Sequence, residues 1–130
     1  MATDYSVHLD PVASAGPAGA HIAYCLVSAD GELDLVTAVA FGASLDGAAA
    51  GPWGGAPLIV DLSAVTFMDG SALPVLCATH RRSHERGGWT RVVYRHRGIT
   101  MLLRAAGLTA RFPRYATVSD AWQGRMAEAP

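Results

Sequence analysis

The chain predicts a single α/β domain, with a parallel or mixed sheet and helices packed on it, and two observations lead there. Residues 57–86 read PLIVDLSAVTFMDGSALPVLCATHRRSHER, an apolar run that turns at a polar triplet and becomes helical. From Leu58 onward, strand-like and helix-like segments alternate to the end of the chain.

Taken in order, residues 5–12 alternate loosely, with Tyr5, Val7 and Leu9 against Ser6, His8 and Asp10, as a half-buried edge strand does. A turn at 14–19 leads to a second strand over 21–27, which ends at Ser28-Ala29-Asp30-Gly31, and the two suggest a hairpin. Asp34 then caps a helix in which Val36, Val39, Ala40 and Ala43 repeat at helical spacing up to about Leu45. Residues 46–56, DGAAAGPWGGA, read as a flexible Gly-rich loop with Trp53 as its anchor. Leu58-Ile59-Val60 suits a strand buried on both faces.

After the turn at Asp69-Gly70-Ser71, the residues Leu73, Leu76, Cys77 and His80 fall at i, i+3, i+4 and i+7 and form one core-facing stripe. Gly87-Gly88 stops that helix. A strand follows over 89–94, then a helix striped by Ile99, Leu102, Leu103 and Ala106, then a last short strand around Phe112. Thr117 caps a final helix in which Val118 and Trp122 pair at i, i+4. The core is expected to span about 5–123, with residues 124–130 a disordered tail.

Composition narrows the function classes. A chain of 130 residues has room for one core, and 51% hydrophobic with 16% charged residues marks a folded globular chain. A net charge of −1 argues against a nucleic-acid or anionic-membrane surface as the main partner. No apolar run reaches the length of a membrane span, and the acidic start lacks the basic region of a signal peptide, so a cytoplasmic protein is expected. Cys25 and Cys77 form no CxxC pair and read as reduced core residues.

The turn at Asp69 is where chemistry would sit. The first N–H groups of a helix lack intrahelical partners and carry partial positive charge, so a phosphoryl group on a hydroxyl there would be well housed. Pro74 requires a helix start near Gly70 or Ser71, because its missing N–H is harmless only in the first turn. The plainer reading is that Asp69 and Ser71 are simply an N-cap pair.

An enzyme would need a nucleophile and a base. His80 lies nine residues after Ser71 on the same helix, out of reach, and no G-x-S-x-G elbow occurs. His80 and His84 have i, i+4 spacing but no obvious third ligand, so no metal or other cofactor is expected. The basic end of that helix suits its C-terminal dipole. No catalytic residue is therefore assigned.

Gly31-Glu32-Leu33-Asp34 before one helix, and Leu58 through Asp69 (LIVDLSAVTFMD) before the next, resemble the STAS domain of bacterial anti-sigma-factor antagonists. The Gly87-Gly88 stop and the segment LLRAAGL over 102–108 fit the same family. The resemblance implies a four- to five-stranded mixed sheet, about four helices mostly on one face, and no catalytic function. It also implies a protein partner, an anti-sigma factor that is a serine kinase and phosphorylates a hydroxyl just after the aspartate that is here Asp69.

At that place the chain departs from the family's Asp-Ser-Ser/Thr-Gly, reading Asp69-Gly70-Ser71-Ala72. Gly70 has no hydroxyl, so three readings stand: an antagonist that is never phosphorylated, one that uses Ser71, or a scaffold that meets no kinase. The partner-binding residues expected are Asp34, Asp69, Gly70, Ser71, Ala72 and Leu73. The alternatives are a STAS subunit of a transport or stress-sensing assembly and a small-ligand or nucleotide sensor, and a homodimer is left open.

Overall fold

The computed structural model describes residues 7–16, 19–50 and 55–127. In chain order the elements are β1 (Val7–Gly16), β2 (Gly19–Leu33), α1 (Thr37–Ala50), β3 (Leu58–Met68), α2 (Ala72–Glu85), β4 (Thr90–Val93), α3 (Arg97–Ala105), β5 (Arg114–Tyr115) and α4 (Val118–Gln123). The strands lie side by side in sequence order. β1 runs antiparallel to β2, from Val7 opposite Ala29 to Gly16 opposite Gly19. β2 to β5 are all parallel, each joined to the next by one helix.

β3 is the middle strand, and its first three residues are buried on both faces as its apolar run predicts. Leu58, Val60 and Leu62 enter the main core with Phe41 and Leu45 of α1, Leu76 of α2, and Ile99 and Leu103 of α3. Ile59 points the other way, to a smaller cluster with Val93, Tyr115 and Ala121 of α4. Three helices thus cover one face and α4 the other. The α4 side is closed by aromatic contacts, Trp122 lying 5.2 Å from Tyr24 and 6.2 Å from Trp89 between ring centroids.

Several elements differ from the sequence reading. β2 does not end at Ser28–Gly31; it continues to Leu33, with Gly31 at φ 78° beside a register shift against β3. Irregularity there is absorbed as a bulge rather than a turn, because β3 continues alongside. α1 runs on through Asp46 and Gly47 to Ala50, taking in the first five residues of the expected loop; positions 51–54, Trp53 among them, lie outside the described residues. Its buried face is Ala38, Phe41, Leu45, Ala48 and Ala49, while Val36 and Val39 of the expected stripe are exposed.

The α2 stripe is likewise rotated, to Ala72, Leu76, Thr79 and Ser83, leaving Leu73 and Cys77 at its margin. Thr79 is accepted in the core because its hydroxyl donates to the Val75 carbonyl, and the Ser83 hydroxyl receives that of Thr90 at 2.9 Å. The last strand is the pair Arg114–Tyr115, and Phe112 is a core side chain instead. Of the expected tail, residues 124–127 are held: Gly124 ends α4 in the left-handed region, and the Ala127 N–H donates to the Arg114 carbonyl. The rest of it, 128–130, and residues 5–6 lie outside the described residues.

Tyr94, just past β4, is 1% exposed, and its hydroxyl donates to the Phe112 carbonyl at 2.8 Å. Burial pushes the phenol pKa up, so the group is a donor throughout the ordinary pH range. Replacing Tyr94→Phe strands the Phe112 carbonyl in the core and should lower stability by about 1–3 kcal/mol. Urea unfolding followed by circular dichroism checks this; an unmoved midpoint at constant slope would mean that the carbonyl finds another donor.

Candidate functional site

Parallel strands deliver their following helices to one end of a sheet, and here that brings two polar turns together. β2 and β3 stay paired to their last residues, Leu33 opposite Met68, and the Asp69 N–H then donates to the Leu33 carbonyl at 3.0 Å. Asp34 and Asp69 therefore leave the sheet side by side.

Asp34 organises the first turn. Its Oδ1 accepts from the N–H groups of Val36 (3.0 Å) and Thr37 (3.1 Å), and its own N–H donates to the Thr37 hydroxyl at 2.9 Å. That hydroxyl in turn donates to the Glu32 carbonyl. This is reciprocal capping, in which orphan donors at the helix start are satisfied from both sides. The Thr37 backbone bond above all, with those of Val36 and of Asp34 itself, holds the Asp34 carboxyl below its usual range against a smaller opposing effect of burial.

Asp69 organises the second turn differently. Its Oδ1 accepts from the Ser71 N–H at 2.8 Å, its carbonyl from the Ala72 N–H, and the Gly70 carbonyl from the Leu73 N–H. Ser71 is the N-cap residue of α2, yet its hydroxyl makes no capping bond. Pro74 is thus the third residue of the helix, where its missing N–H leaves nothing unpaired. Asp69 and Ser71 are half-exposed and Gly70 is exposed, so the turn is open to a visitor. Ala72 is fully buried and Leu73 packs against the core, so of the residues expected to bind a partner these two support the turn from beneath.

The sequence reading missed the apolar surroundings of the turns. Leu35, Val36 and Val39 are 74%, 79% and 75% exposed, and Phe67 is 49% exposed. At the end of β3, Phe67 and Met68 line a groove of about 450 Å³ with His96, Gly98, Met101, Leu102 and Ala105. The signal for α1 was the cap: starting the helix at the Asp34–Thr37 pair puts Phe41 and Leu45, its largest i, i+4 pair, on one side and Val36 and Val39 on another.

Among the described residues, no three His, Cys, Asp or Glu side chains gather closely enough to hold a metal ion, and His80 is not near Ser71's turn but against Phe112, at 5.5 Å between ring centroids. No helix among them is long and apolar enough to cross a membrane. What this end of the sheet offers is a small, solid-looking contact surface: two capped aspartates, one unengaged hydroxyl and an apolar border.

The STAS-domain family model matches residues 18–121, and the chain belongs to that family. Among solved structures it is similar to an anti-sigma factor antagonist from Mycobacterium paratuberculosis, at 29% identity and a TM-score of 0.76 over 93% of each chain. The antagonist SpoIIAA in its unphosphorylated form superposes at a TM-score of 0.68, with 18% identity over 92% of this chain and 97% of that one. The murine anion transporter Slc26a9 shares the fold at 16% identity and a TM-score of 0.65; the match takes in 95% of this chain but 22% of the transporter. No curated protein sequence matches.

The depressed Asp34 carboxyl has a pH signature. A group whose folded pKa lies below its unfolded value, about 3.9 for Asp, stabilises the fold above that value and ceases to as pH falls through the folded one. Asp34→Asn keeps an accepting oxygen but loses the charge. The melting-temperature gap between the native chain and this variant should be open at pH 6 and close steadily below about pH 4. A gap that stays constant down to pH 2.5 would show that the carboxylate draws nothing from these bonds.

Proposed function

We propose that the chain is an anti-sigma-factor antagonist that docks on a kinase-type anti-sigma factor in the cytoplasm, and that it lacks the hydroxyl through which such antagonists are switched off. The observation that carries the reading is the apolar border of the Asp69 turn, above all Leu35, Val36 and Val39 at the start of α1. A contiguous exposed apolar patch rimmed by polar turns is typical of a surface that another protein covers. The similarity to solved anti-sigma factor antagonists supports the identity of that partner.

Gly70 supports the second half. Its φ is not positive, and a Cβ built there would meet nothing within 4 Å, so the backbone does not demand glycine. The position can carry a serine and does not. With Ser71 offset by one residue and already N-cap of α2, the partner kinase meets no hydroxyl at the expected place.

Two experiments test this. Val36→Asp combined with Val39→Asp places two charges in the apolar border while leaving the core face of α1 intact, and should weaken binding to the cognate anti-sigma factor at least tenfold by calorimetry. Unchanged affinity would remove this surface as the docking site. Incubation of the native chain with the kinase and ATP should add no phosphate by intact-mass spectrometry, whereas Gly70→Ser should gain one. A phosphate on Ser71 of the native chain would replace the proposal with a displaced acceptor.

A further inference from the structure

All ten basic residues of the chain are arginines, and all fall at or beyond Arg81. Between Glu85 and Asp120 there is no carboxylate at all. The fold gathers part of this charge into one concavity on the second half of α2, well removed from the Asp69 turn at its start. That groove, about 370 Å³, is lined by Cys77, His80, Arg81, His84 and Arg111, with no acidic side chain among them.

Its two walls are fixed. His80 is held edge-on against the buried Phe112 ring, and the Arg111 guanidinium reaches back across to the Cys77 sulfur at 3.8 Å. Among the described residues the one salt bridge uses Arg82, with Asp46 on the opposite flank of α2, and neither Arg81 nor Arg111 has a carboxylate partner. Burial first, and then the neighbouring Arg111 and His84, hold the His80 imidazole below its usual pKa.

Guanidinium groups converging on a concave site without counter-charges are the arrangement that phosphate oxygens satisfy, because the planar fork donates two parallel hydrogen bonds to them. We propose that the groove between α2 and the segment carrying Arg111 binds the phosphate group of a small ligand, with Arg81 and Arg111 as its principal donors and His80 and His84 as secondary ones. The site is independent of the docking surface proposed above.

Cys77 reports on occupancy, because it lines the groove while Cys25 is buried and serves as an internal control. The test measures alkylation of Cys77 by neutral iodoacetamide, at constant ionic strength set with sodium chloride, in the presence of inorganic phosphate, pyrophosphate or ATP. At millimolar probe, at least one should slow Cys77 alkylation fivefold or more. Arg81→Gln and Arg111→Gln, each with an unchanged melting temperature, should abolish that ratio. Equal protection by inorganic phosphate assigns a free phosphate, and tighter protection by ATP a nucleotide. Absence of protection by all three, or protection that persists in both variants, overturns the site. Protection by a polyglutamate peptide alone also overturns it, in favour of an acidic protein segment.

Discussion

The ladder between β2 and β3 is the constraint on which everything at the polar end depends. It begins with Cys25 opposite Leu58 and ends with Leu33 opposite Met68, so β3 spends two more residues than β2 over the same length (58 to 68 against 25 to 33). The excess is taken up at two register shifts, one between Ser28 and Asp30 and one between Gly31 and Glu32. Each bulge inverts the alternation of side chains along β3. Inward positions therefore run Leu58, Val60, Leu62 and then step by three to Val65 and Met68. Without those shifts Val65 would not face the core, Leu33 would lie opposite Thr66, and the Asp69 amide would not meet the Leu33 carbonyl.

The same bulges explain why an apolar residue stands outside. Phe67 belongs by simple alternation to the set with Val65, but the second shift turns it outward beside the Asp69 turn. A half-exposed phenylalanine, with exposed Leu35, Val36 and Val39 around the start of α1, is costly surface for a chain to keep in water, roughly 25 cal/mol for each Å² of apolar area. Retaining it makes physical sense where a partner covers it.

The outline of the fold was legible in the sequence because its strongest signals are local. The run Leu58-Ile59-Val60 marks the middle strand, Asp34 and Thr117 mark helix starts, and Gly87-Gly88 marks an end, each through a backbone requirement that holds wherever the segment is placed. Rotation of the helices was not legible in the same way. α1 is apolar all round, so periodicity could not choose between the Val36–Val39 side and the Phe41–Leu45 side; packing against Leu33 and Leu62 chose. On α2 the outcome turned on Thr79 and Ser83, polar residues that enter the core because their hydroxyls find partners there. The positions of the two aspartates were readable from their spacing to the helices, but the apolar border was not, since half of it depends on the rotation of α1 and half on the bulges in β3.

What the two turns offer chemically follows from how differently they are capped. At Asp34 the carboxylate Oδ1, the backbone N–H and the Thr37 hydroxyl are all engaged, and the carboxylate is committed to the backbone around it. At Asp69 the carboxylate is committed to the Ser71 N–H, while the Ser71 hydroxyl and the open space above Gly70 are not committed to anything. A dianion introduced beside an apolar contact surface must either be desolvated or keep a partner at a distance, which is why a hydroxyl at such a turn makes an effective switch. On the function proposed above, a glycine there would remove the switch without disturbing the capped turn beneath it, because the turn is built from the Asp69 side chain and backbone atoms and draws nothing from a side chain at position 70. On that proposal recognition and its regulation would be separable in this fold, and a chain could keep the one while giving up the other.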